Sequence, residues 1–95
     1  MPLFVLIGWD GPDSKEKRPA ARPSHVAYWT PWDTAGKIVL AGPMTDFAGS
    51  LFIVDAESEA EARGRIENDP YVAAGIFVRT ECHPFKGVFP MAKYG

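Results

Sequence analysis

An α+β fold with the order β-α-β-β-α-β is predicted by three observations. Four short, apolar, β-favouring runs lie along the chain, and two stretches with helix signals separate the first from the second and the third from the fourth. The 95 residues hold one core and leave no room for a second. This order is the ferredoxin-like arrangement, an antiparallel sheet with two helices on one face, and it makes residues 1–95 one domain.

Pro2 to Trp9 (PLFVLIGW) is the first predicted strand, stopped by the turn signal Asp10-Gly11-Pro12-Asp13. Ser14 to Arg22 is charged and carries Pro19, so it is expected to form a short helix or a loop. Pro23 suits the first position of a helix over Ser24 to about Trp32, weakened at its end by Pro31. Lys37 to Ala41 is the second strand, closed by Gly42-Pro43, and Met44 to Gly49 connects it to the third, Ser50 to Ala56. Ser58-Glu59-Ala60-Glu61 is a capping box opening a helix that runs to about Asn68. Asp69, ahead of Pro70, is expected to be extended at the helix exit. Ile76 to His83 is the fourth strand, which Pro84 ends or confines to a sheet edge. Residues 85–91 are expected to add a short strand.

In a sheet with one wet face, alternate residues should be polar. Here Phe4 and Leu6 face one way and Leu3, Val5, Ile7 and Trp9 the other; Ile38 and Leu40 oppose Val39, and Leu51 and Ile53 oppose Phe52 and Val54. Two helices cover one face only, so a second copy is expected on the other, as a homodimer; the bland alternative is a loosely amphipathic sheet covered by its own tail.

Composition excludes several function classes. Ten basic against 12 acidic residues give a net charge of −2, with no cationic footprint for nucleic acid or an anionic membrane. The longest apolar run, Leu3 to Gly8, is far short of the roughly 20 residues of a membrane span, and no secretory signal is seen. A lone cysteine, Cys82, makes neither an internal disulfide nor a cysteine zinc set, and a cytoplasmic location is expected. Phosphate-binding, nucleophile-elbow and metalloprotease motifs are absent, so no cofactor and no metal are expected.

Two residues stand out for chemistry. His25, two residues after Pro23, would lie in the first turn of its expected helix, where the dipole favours the neutral imidazole that accepts a proton. On position alone, an exposed or hydrogen-bonded surface histidine is the better account. Asp69 would be an acid at a helix C-terminus, mildly unfavourable unless a partner offsets it, and His25 is a candidate partner. The bland alternative is an Asp-Pro turn. Ser50 is placed to show a hydroxyl at a strand mouth. Trp9, Tyr28, Trp29, Trp32, Phe47, Tyr71 and Phe85 supply core and dimer contacts, and some of them could wall a flat substrate.

The segments R-P-S-H-V-A-Y (22–28), A-G-K-I-V-L-A-G-P (35–43), G-S-L-F-I-V-D-A (49–56), A-R (62–63), N-D-P-Y-V-A-A-G-I-F (68–77) and H-P-F-K (83–86) together resemble the YciI-related (YCII) family, in order through nearly the whole chain. The resemblance implies a dimeric α/β barrel with sheets packed face to face, related to muconolactone isomerase. It implies a catalytic histidine–aspartate pair, carried here by His25 and Asp69, with Ser50 as a pocket residue. The best understood activity in the family is cofactor-free dehydrochlorination of a chlorinated hydroxyhydroquinone in aromatic degradation. The expectation is therefore a lyase or isomerase acting on a small cyclic or phenolic substrate. The alternative is a non-catalytic small-molecule-binding or accessory module of the same fold. Pro19, Pro23, Pro31 and the tryptophans depart from the plainest members and bear on pocket shape.

Overall fold

The computed structural model describes residues 2–95. Strands β1 (Leu3–Asp10), β2 (Ile38–Pro43), β3 (Gly49–Asp55) and β4 (Phe77–Phe85) form one antiparallel sheet in the order β2-β3-β1-β4. Helices α1 (Ser14–Thr34) and α2 (Glu59–Glu67) are the two long crossovers, and α3 (Pro70–Ala73) and α4 (Met91–Tyr94) are single turns. The architecture is the expected ferredoxin-like one.

Cross-strand register shows which residues share a face. Phe4 pairs with Val54, and Leu6 pairs with Phe52 on one side and Cys82 on the other. These five are buried together with Trp29, Ala62, Ile66, Tyr71, Ile76 and Phe77, forming the core between sheet and helices. Gly8 continues this face, and only glycine fits there. A Cβ would stand 2.5 Å from Cδ2 of Phe77, whose ring lies across the strand.

The opposite face carries Val5, Ile7, Leu51 and Ile53, paired Val5–Ile53 and Ile7–Leu51. All four stay partly exposed, and Leu40, opposite Ile53, is 68% exposed. Toward β4 this face becomes polar, with Arg79, Glu81 and His83 opposite Trp9, Ile7 and Val5. The C-terminal residues lie against one end of the same face, where Leu3, Ile53, Phe85, Phe89 and Tyr94 border a groove of about 370 Å³.

Three expectations are corrected. First, α1 is continuous from Ser14 to Thr34 rather than beginning near Pro23. Each of Pro19, Pro23 and Pro31 removes a helix bond and crowds the carbonyl four residues back. All three are exposed, as are Lys15, Pro19 and Ala27, whose carbonyls lose their donors. Water substitutes on that side, while Trp29 on the inner side is 6% exposed and ties the helix to the core. The buried Ser14 hydroxyl fixes the start by accepting from the Gly11 amide at 2.8 Å and donating to the Ile76 carbonyl at 2.5 Å.

Second, Asp69 both follows α2 and caps α3, a turn that the Asp-Pro pair alone did not suggest. Its backbone is extended, at φ −60° and ψ 132°, and Pro70 takes the first helical position, where no N–H is needed. Third, residues 85–91 form no added strand; β4 runs to Phe85, and the chain turns into α4. β4 lies at a sheet edge, consistent with Pro84 inside it. The Ser58 cap is as expected on one side, its Oγ accepting from the Glu61 amide at 3.1 Å. Glu61 reaches back to the Glu57 amide, one residue beyond the usual box partner.

Candidate functional site

Asp69 is 1% exposed, yet its carboxylate is surrounded by donors. Oδ1 accepts from the Tyr71 amide at 2.8 Å, and Oδ2 accepts from Nε1 of Trp29 at 2.7 Å. Nδ1 of His25 lies 2.9 Å from Oδ1 and 2.8 Å from Oδ2. An ionised carboxylate accepts only, so this arrangement assigns the Nδ1 proton to His25 and leaves Nε2 with a free lone pair in the neutral ring. The His25 side chain keeps 17% of its surface exposed.

His25 lies flat on Tyr71, with ring centroids 3.9 Å apart and planes 2° apart, and edge-on to Phe52 and Phe77. Burial pushes the Tyr71 phenol above its ordinary value, while Arg18 and Arg22 pull it the other way. Trp29, which holds Asp69 from the far side, stacks on Phe52 at 4.4 Å. The imidazole is thus fixed by aromatic rings and by the carboxylate together.

His25 lies in the middle of α1, not in its first turn, because the helix begins at Ser14. A dipole effect confined to the first turn does not reach it. The tautomer follows from Asp69 instead.

Arg18 and Asp10, which the sequence reasoning passed over, form the next part of the site. Arg18 donates from Nε to Oδ2 of Asp10 at 3.0 Å and from Nη2 to Oδ1 at 2.8 Å. Nη2 also donates to Oγ of Ser50 at 3.2 Å. The guanidinium lies over the rings of Tyr71, at 5.1 Å, and Phe77, at 5.8 Å. Ser50, 3% exposed, therefore holds Arg18, and its hydroxyl bond goes there rather than to His25. Asp10 is the last residue of β1, at a register shift between Trp9 and Asp10, which explains why it looked like a turn residue.

Beside this group opens a cleft of about 210 Å³, lined by Arg18, Arg22, Pro43, Met44, Phe47 and Tyr71. Tyr71 is shared between the cleft and the His25 stack. Of the aromatic residues singled out in the sequence, Trp29 and Tyr71 touch the dyad and Phe47 walls the cleft, while Tyr28 and Trp32 pack edge-to-face behind Trp29. Trp9 and Phe85 lie elsewhere, on strands β1 and β4. Among the described residues no three His, Cys, Asp or Glu side chains converge as a metal-ligand set, and no helix is long and apolar enough to cross a membrane.

The family model described as the YCII-related domain matches residues 2–86. Protein YciI of Escherichia coli O6:H1 is 37% identical over 97 residues, which span 92% of this chain and 99% of that protein. An uncharacterized protein of Haemophilus influenzae is 31% identical, spanning 90% and 98%. Among solved structures, 5-chloro-2-hydroxyhydroquinone dehydrochlorinase (TftG) of Burkholderia phenoliruptrix AC1100, in complex with 2,5-dihydroxybenzoquinone, is similar with a TM-score of 0.77 and 33% identity, covering 88% of this chain and 93% of that one.

Proposed function

This chain belongs to the YCII-related family, and from that premise we propose that it is a small cofactor-independent lyase or isomerase in which His25 moves a proton on a cyclic, phenolic substrate. The observation that carries the reading is the buried Asp69 carboxylate, held by Trp29 and Tyr71 and facing Nδ1 of His25. Such a carboxylate orients the ring and stabilises the imidazolium that forms when Nε2 takes a proton. Arg18, fixed by Asp10 and Ser50, makes the neighbouring wall rigid. Ser50 acts here as a positioning residue.

The neighbouring dehydrochlorinase supports a specific form of the reaction, loss of HCl from a chlorinated hydroxyhydroquinone. Nε2 takes a proton from a phenolic oxygen, and the oxygen electron pair closes a carbonyl while the ring carbon that bears chlorine accepts a proton. Nε2 returns its proton to that carbon, and chloride then leaves with the C–Cl bonding pair as Nε2 takes a second hydroxyl proton, forming a quinone. The ring carbons that become carbonyls are oxidised as the C–Cl carbon is reduced to C–H, so no external oxidant is needed. A binding module would use the same cleft without turnover. A turnover screen with halogenated hydroquinones and enol-lactones, following chloride release and ring absorbance, separates the two. Activity that disappears in His25→Ala supports the enzyme, and saturable binding with no turnover supports the module.

We propose further that a second copy covers the open sheet face, in a cytoplasmic homodimer. Val5, Ile7, Leu51, Ile53 and Leu40 support this, because together they leave an apolar surface on the side of the sheet away from α1 and α2.

A further inference from the structure

We propose that the cleft beside the dyad selects a negatively charged single-ring compound, and that Arg22 is the residue that recognises the charge. The inference rests on the proposed reading of the site for what the bound ring undergoes, but its binding claim stands on the cleft itself. Arg18 and Arg22 are four residues apart on α1 and line the same cavity. Their charges are used differently. Arg18 is neutralised by two bonds to Asp10 and held by Ser50. Arg22 is exposed and has no ion pair or side-chain hydrogen bond among the described residues. The other lining residues, Pro43, Met44, Phe47 and Tyr71, include no carboxylate. The cavity therefore carries one unbalanced positive charge in a chain whose net charge is −2. A guanidinium in this position pairs with a carboxylate through two parallel N–H bonds, or donates to a single phenolate oxygen.

Size and shape set the rest of the ligand. The cleft is about 210 Å³, and an apolar protein cavity of about 150 Å³ accepts benzene. One six-membered ring with a few small polar substituents fills it. Phe47, 53% exposed, presents aromatic surface to such a ring. The Phe47 loop is built rather than slack. Phe47 has φ 65°, a left-handed conformation that non-glycine residues rarely adopt. Its amide donates to the Met44 carbonyl at 3.0 Å, the Met44 amide donates to the Gly49 carbonyl at 2.7 Å, and Oδ1 of Asp46 accepts from the Ala48 amide at 3.1 Å. Nζ of Lys15 sits 4.7 Å from the Phe47 ring centre. The strained residue keeps its side chain at the cleft.

Benzoate and benzamide test the charge requirement, since they share a ring and differ in charge. Binding is read by calorimetry and by tryptophan fluorescence. Benzoate is expected to bind about tenfold or more tightly than benzamide at low salt, the size of effect a charge-assisted bond supplies. Arg22→Gln should remove that preference while leaving benzamide affinity unchanged, and Arg22→Lys should retain part of it. Met44→Glu, which adds a carboxylate to the cleft without touching Arg22, should weaken benzoate selectively. Equal affinity of the parent for both probes overturns the inference, as does an Arg22→Gln variant that keeps the benzoate preference. The proposed reaction is tested separately. Turnover without a charge preference refutes Arg22 and leaves the dyad standing. An Arg22-dependent benzoate preference with no turnover on any substrate upholds Arg22 and refutes the enzyme.

Discussion

The imidazole of His25 lies parallel to the Tyr71 ring at 3.9 Å while its Nδ1 faces the carboxylate that accepts from the Tyr71 backbone amide. Asp69 therefore holds both partners of the stack, one through its side chain and the other through its main chain. The α1–α3 contact that positions the candidate base is organised around this one buried acid.

If His25 moves the proton, His25→Ala should lower turnover by about 10²–10⁴-fold, the usual worth of general acid–base catalysis. Asp69→Asn should lower it less, because an amide oxygen still accepts from Nδ1 but no longer balances the imidazolium charge. Asp69→Ala should instead be a stability defect of about 2–5 kcal/mol, since it leaves the Trp29 indole and Tyr71 amide without an acceptor in the core. Rates on a turned-over substrate, with thermal melts of each variant, check the set; full activity of His25→Ala would remove the dyad from the mechanism.

Gly8→Ala should destabilise the fold by roughly 1–3 kcal/mol, because the new methyl meets the Phe77 ring at 2.5 Å. Phe77 is 3% exposed and edge-on to both His25 and Tyr71, so the displaced ring disturbs the site as well. The double variant Gly8→Ala with Phe77→Leu should recover part of the loss. Denaturant midpoints of the three proteins decide this, and a Gly8→Ala protein as stable as the parent would show that the ring moves freely.

What could be read in advance depended on how local the cause was. Leu3 to Trp9 and Leu51 to Val54 are strands because all but Gly8 are apolar side chains that suit a sheet, and that needs no partner to recognise. Ser58 caps an amide three residues on, inside the span of a local motif. The three prolines misled because their cost is local, whereas its compensation, the burial of Trp29 against Phe52, comes from a residue 23 positions away. The third helix was hidden because Asp-Pro serves a turn or a cap with the same two letters. His25 and Asp69 were singled out partly by resemblance, but no local rule pointed from Asp69 to Trp29 or from Arg18 to Ser50, pairs 40 and 32 residues apart. The donors around the site belong to the tertiary fold, and so did the details that were missed.

Stability should decline at alkaline pH. Burial raises both the Tyr71 and Tyr28 phenols above 10.0, with Arg18 and Arg22 opposing at Tyr71, and the Asp69 charge adding at Tyr28. A group with a raised folded-state pKa contributes stability that is complete below the unfolded value and is lost as pH climbs through the folded one. Denaturant midpoints should thus hold up to about pH 9 and fall from about pH 10 upward. Tyr71→Phe, which cannot ionise, should show a shallower fall. A parent protein with a flat profile through this range would contradict the raised phenols.

With a second copy on the open face, substitutions there should act on association before they act on folding. Leu40 is 68% exposed, so Leu40→Glu removes no core contact within the subunit. Val5 lies opposite Ile53 and His83, and His83 is already paired with Glu81, so Val5→Glu places an unpartnered carboxylate in the centre of the face. A stable dimer needs roughly 1,200 Å² of total buried surface, and a carboxylate carried into that interface without a partner is heavily penalised. Sedimentation should give a dimer for the parent at micromolar concentration and monomers for both variants, with far-ultraviolet circular dichroism unchanged. The dimer should also make the thermal midpoint of the parent rise with protein concentration, as mass action requires, while the two variants show no such dependence. A parent that sediments as a monomer, with a midpoint indifferent to concentration, would leave the apolar face to some other partner.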